Sequence, residues 1–148
     1  MPLNLPGLTQ ALIDLAQRAP ATAAECAARW GDDMNTFVTT VTPPSTQVAT
    51  ASAVLRGSLT TAFATVPGAL PLIEAAFAGF AATVALGMPS PVVSVGIPPP
   101  APVGFATLFA LYPPTAEAGA NAMATLINTW MHTGTATPIP VGPPIPWI

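Results

Sequence analysis

Proline placement constrains this chain more than any other feature, because the ring fixes φ, removes a backbone donor and confines the residue to helix starts, turns and extended segments. The twenty prolines are unevenly spread. Pro20, the Pro43-Pro44 pair, Pro67 and Pro89 separate four stretches each long enough for a helix. Pro91, Pro98, Pro99, Pro100 and Pro102 crowd the middle of the chain, and Pro138, Pro140, Pro143, Pro144 and Pro146 crowd its last part. The pattern predicts a small, mainly α bundle of four to five helices, with extended Pro-rich segments and a C-terminal arm.

Apolar spacing fills these stretches with helical stripes. The first stripe is Leu5, Leu8, Leu12 and Leu15, ended by Ala19-Pro20. The second begins near Thr22, with Glu25 three residues later as in a capping box, and runs through Ala23, Ala27, Trp30, Met34, Phe37 and Val41, with a kink expected at Gly31. The third, capped by Ser45 or Thr46, carries Val48, Ser52, Leu55, Leu59, Ala62 and Val66 before the Pro67-Gly68 turn. The fourth has Pro71 and Glu74 near its start and Ile73, Phe77, Phe80 and Val84 on its main face. Its other face, Ala75, Ala78, Gly79 and Ala82, is also apolar, so burial all round is expected. A short helix fits residues 104–111. The last helix spans about 115–132, with Ala116, Gly119, Met123, Leu126, Ile127 and Trp130 inward.

An internal echo accompanies this pattern. Phe63-Ala64-Thr65-Val66-Pro67 parallels Phe109-Ala110-Leu111-Tyr112-Pro113, and at the same offset Ile73, Phe77, Phe80 and Val84 fall on Gly119, Met123, Leu126 and Trp130. Two copies of an apolar turn followed by a helix would produce it, as would chance in a sequence of low complexity. No domain boundary is drawn from it. The expected organisation is one helical domain over 1–134, with a Pro-rich internal segment at 89–104, and an arm over 135–148.

Charge narrows the function. Of the 148 residues 51% are hydrophobic and 6% charged, against roughly 25% charged in an ordinary soluble domain. There is no lysine, and Arg18, Arg29 and Arg56 are the only strong cations. Nucleic-acid binding needs many phosphates neutralised, so no nucleic-acid partner is expected. Ala, Thr, Ser, Pro and Gly must therefore form most of the surface. Ala and Pro lose little rotamer entropy on burial, which suits contact with neighbouring subunits. An organism rich in these residues making an ordinary soluble protein is the alternative.

Mean hydropathy is +0.60, which brings a membrane into question. The candidate span Leu70 to Met88 contains Pro71 and Glu74 and ends in Gly87-Met88-Pro89, short of about 20 continuous apolar residues. No membrane helix is expected. Pro2, Pro6 and Asp14 make the N-terminus unlike a secretion signal.

Chemistry is sparse. His132 is the only histidine and Cys26 the only cysteine, so neither a zinc site nor a disulfide is expected. Asp32 and Asp33 are adjacent, which places them on different helix faces. No glycine-rich phosphate loop or nucleophile elbow occurs. The expectation is no catalytic residue, no metal and no cofactor.

Candidate partner-binding residues come from the extended segments. Prolines exclude a central strand over 89–102, and Val93, Val95 and Ile97 read as apolar side chains on a polyproline-like arm. Pro143, Pro144 and Pro146 lead to Trp147-Ile148, an anchor for a pocket on another subunit or a segment that folds back on its own core. The size, scarce charge, Ala/Thr/Pro bias and the run Thr133-Gly134-Thr135-Ala136-Thr137-Pro138 through Pro146-Trp147-Ile148 resemble in style the minor structural proteins of tailed bacteriophages and phage-tail-like contractile particles. That resemblance implies repeated copies and arms exchanged across interfaces in a virion or a cytoplasmically assembled particle. The function expected is a non-enzymatic assembly subunit with protein partners and no membrane partner; the alternative is an apolar-ligand-binding or membrane-surface helical module.

Overall fold

The computed structural model describes residues 3–65, 68–111 and 113–148. Readings that fall on Pro2, Val66, Pro67 and Tyr112 lie outside the described residues. Among the described residues, six helices and three short strands follow in the order α1 (Leu5–Gln17), α2 (Ala23–Val38), α3 (Val48–Ala64), α4 (Ala69–Leu86), β1 (Val93–Ile97), α5 (Phe105–Ala110), α6 (Ala116–Met131), β2 (Thr135–Pro138) and β3 (Ile145–Pro146). The protein is a small, mainly α bundle.

Local signals explain most helix starts. Asn4 accepts from the Gly7 amide at the head of α1, Thr22 from Glu25 in α2, and Thr115 from Ala118 in α6. Glu25 completes a reciprocal cap by accepting from the Ala21 amide at 3.1 Å, one residue before the position that a capping box uses. The start of α3 departs from expectation: its N-cap is Gln47, with no side-chain cap. Ser45 donates instead to the Val84 carbonyl at 2.6 Å, and Thr46 to that of Gly87 at 3.3 Å. These two residues therefore terminate α4, because its unpaired carbonyls need donors.

The helices form a folded array in which α6 packs on α1, α1 on α2, α2 on α3 and α3 on α4. Phe77 of α4 closes the array from inside. Its ring meets Trp30, Phe105 and Trp130 edge-on, with centroids 5.7, 5.0 and 6.5 Å away, an arrangement that the ring quadrupole favours. No break interrupts α2 at Gly31. A Cβ there would lie 3.2 Å from the Ser52 carbonyl and 3.3 Å from Arg56, so this glycine serves the close packing of α2 on α3.

Two stripe readings need correction. On α6 the buried residues are Ala120, Ala124, Ile127, Trp130 and Met131. Ala116 is exposed and Gly119, Met123 and Leu126 are half-buried, because small Ala120 and Ala124 are the residues that allow close packing of a helix. On α4, Ala75, Ala78 and Ala82 are exposed, as are Leu72 and Leu86. Exposing alanine costs little, so low polarity does not by itself force burial. By length and composition α4 is able to cross a membrane, with hydropathy 1.8 over 18 residues. Here its large side chains Phe77, Phe80 and Val84 are buried in the bundle.

The strands form one antiparallel sheet in the order β1-β2-β3. Residues 93–97 are thus a strand, not a polyproline-like arm. The prolines stand outside them, at Pro91 and Pro98, and β1 occupies the sheet edge where flanking prolines are tolerated. Gly96 lets β1 lie directly on α4: a Cβ there would sit 2.5 Å from the Ala85 carbonyl oxygen and 3.0 Å from the Met88 sulfur.

Candidate interaction surface

The two segments singled out in the sequence become the outer strands of this one sheet. The register pairs Ile97 with Thr135 and Thr135 with Pro146, and it pairs Val95 with Thr137. A bulge between Val93 and Val95 shifts the alternation, leaving Val93 buried while Val95 and Ile97 are 46% and 44% exposed. On the opposite face, Gly96 pairs with buried Ala136. Pro146 on β3 is exposed, as are Pro143, Pro144 and Ile148 beyond the strands, and Val141 is 92% exposed. No charged residue occurs between Glu117 and the last residue or between Glu74 and Glu117, so the sheet carries none.

Trp147 does not project outward. It is fully buried, its indole N–H donates to the Thr135 carbonyl at 2.9 Å and its amide donates to the Gly134 carbonyl at 3.0 Å. Ile148 then exchanges two backbone hydrogen bonds with Thr42, 2.8 and 3.1 Å long. The proposed anchor is therefore spent on its own chain, since a buried indole finds in Gly134 and Thr135 both a flat floor and an acceptor. Val93 is likewise lost to the core. Residues 135–148 do not stand apart from 1–134, because Ala136 and Trp147 belong to the same core as the helices.

Charge collects elsewhere. Asp14, Arg18, Glu25, Arg29, Asp32, Asp33 and Arg56 all precede the fourth helix. Asp32 pairs with Arg56 in an exposed salt bridge, and Arg29 donates to the Arg18 carbonyl at 2.6 Å. Burial raises the Asp33 carboxyl above its ordinary value; Arg29 opposes this, while Asp32 and Asp14 reinforce it. Burial also raises the Cys26 thiol, with Arg29 pulling the other way. His132 stands at the end of α6 with Nδ1 2.7 Å from the Asn128 carbonyl, which makes Nδ1 the donor. Among the described residues no three His, Cys, Asp or Glu side chains converge as metal ligands.

One charged side chain has a role that its sequence position did not suggest. Glu74 lies near the start of α4, yet its Oε1 accepts from the Gly104 and Phe105 amides of another segment, at 3.0 and 2.7 Å. It thereby tethers α5 to α4. Nearby, the Trp130 indole N–H donates to the Ala101 carbonyl at 2.6 Å. These bonds hold Phe105 and Phe109 over a cavity of about 200 Å³ that Cys26, Trp30, Leu59, Phe63, Ile73, Phe77 and Met123 also line. Sequence reading missed this cavity. Phe63 and Phe109, and likewise Phe77 and Met123, which are paired positions of the internal echo, all line it.

The molecule thus belongs to the class of small mainly α domains with a minor antiparallel sheet, and its most distinctive surface is that uncharged sheet. No family model, no curated protein and no solved structure matches the chain.

Proposed function

We propose that this chain is a non-enzymatic structural subunit that assembles with copies of itself or with other protein subunits of a larger particle. The observation that carries the proposal is the uncharged outer face of the sheet, where Val95 and Ile97 on β1 and Pro146 on β3, from two distant segments, flank the central strand β2. Natural edge and face strands exposed to water are commonly protected by lysine or inward charge. The edges of this sheet carry prolines and a bulge but no charge, and permanent coverage of its face by a neighbour removes the need for charge. The uncharged helix face formed by Leu72, Ala75, Ala78, Ala82 and Leu86 offers a second contact of the same kind. The stylistic resemblance to phage and phage-tail-like structural proteins points to such a particle as the setting.

The test is the mass of the native species by mass photometry, compared with that of a Val95→Lys/Ile97→Lys double variant. A multi-subunit species that dissociates on introducing the lysines, with helical circular dichroism retained, supports the proposal. A monomeric parent, or lysines without effect on an assembled parent, refutes the role of this face. Truncation at residue 134 is unsuitable for the purpose, because it removes Ala136 and Trp147 from the core.

A further inference from the structure

We propose that the cavity beneath α5 is a binding site for a small uncharged aromatic molecule of roughly one substituted ring. This does not rest on the assembly reading and holds equally for a monomer or a subunit.

The cavity has a rigid floor and an open rim. Trp30, Leu59, Phe77 and Phe105 at its floor are buried, whereas Cys26, Phe63, Ile73 and Met123 at its rim are half-buried and Phe109 is exposed. Its volume of about 200 Å³ exceeds the roughly 150 Å³ at which an apolar cavity in a protein stays dry and admits benzene. It does not close by collapse, because its walls are fixed by bonds outside it. Glu74 holds the start of α5, and Trp130 holds Ala101 ahead of that helix. Phe77 is fixed from several sides by its edge-on neighbours.

The lining selects the ligand. It holds no charged residue, and its one titratable group is the Cys26 thiol, which burial keeps in the neutral form. A carboxylate or ammonium would lose its hydration there and gain no partner. An aromatic ring gains instead, since the wall offers both faces and edges of Trp and Phe rings and the polarisable sulfur of Met123.

Toluene serves as the probe and benzoate as its charged counterpart. A ligand of this size binds with half-saturation on the order of 0.1–1 mM. At ten times that concentration toluene should raise Tm by about 5 °C. By covering the rim it should also slow alkylation of Cys26 by iodoacetamide about tenfold, the fraction of sites left empty being about one in eleven by the same mass action. Benzoate should do neither. The variant Ile73→Trp, which fills the cavity from its half-buried rim, should abolish both effects. The alkylation readout on the unaltered protein decides the matter if that variant fails to fold. No protection of Cys26 by saturating toluene, equal effects of benzoate, or a toluene effect undiminished in folded Ile73→Trp would each overturn the assignment.

Discussion

Replacing Trp147 by alanine tests how the C-terminal segment is held. The indole is fully buried, and truncating a buried Trp costs about 3–5 kcal/mol, through lost transfer energy and the cavity left behind. Its N–H bond to Thr135 is worth about 1 kcal/mol net, which places the combined loss near the middle or top of that range. Against a total stability of about 5–15 kcal/mol, a loss of ~4 kcal/mol is severe. With a urea m-value of ~2 kcal/mol/M, the unfolding midpoint should fall by about 2 M. A companion substitution isolates the contact. A Cβ at Gly134 would stand 2.6 Å from indole Cδ2 and 2.8 Å from Cε3, so Gly134→Ala should displace the ring at a cost of about 1–3 kcal/mol. In the double variant the ring is gone and the clash with it, so the combined loss should be clearly less than the sum. Urea unfolding followed by far-ultraviolet circular dichroism measures all three. A Trp147→Ala midpoint within about 0.3 M of the parent would refute the reasoning and restore the free arm.

Two further predictions follow from the charged groups. Because burial raises the Asp33 carboxyl above its ordinary value of 3.8, the folded protein holds that proton more tightly than the unfolded chain. Stability should therefore fall as pH rises through the window from 3.8 to the folded value. Asp33→Asn should flatten that decline and stabilise the protein at pH 7 relative to acid, as measured by urea midpoints across pH; an unchanged slope would count against it. Glu74→Ala should strand the Gly104 and Phe105 amides and lower stability by about 1–3 kcal/mol, with the loss of protection concentrated at these amides in hydrogen exchange. Exchange at both positions equal to that of the parent would show that α5 is held by other means.

The stripes of α1, α2 and α3 could be read directly, because Leu8, Leu12, Trp30, Met34, Leu55 and Leu59 recur at a spacing that only one helix face satisfies. Thr22 and Thr115 marked helix starts for an equally local reason: a short side-chain acceptor meets an amide three residues ahead. What local pattern could not supply was the partner of each extended segment. Residues 93–97 and 135–146 are far apart in the chain, and either could have remained an arm. Only the folded helices bring them into one register, turning Val95 and Ile97 outward while taking Val93 and Trp147 into the core. The same holds for Glu74, whose sequence neighbours named its own helix and whose carboxylate caps another. Sequence alone determined that the chain is helical and poor in charge, since both depend on residue type and spacing. The tertiary structure decided which apolar residues stay outside, because burial depends on what the rest of the chain places against them.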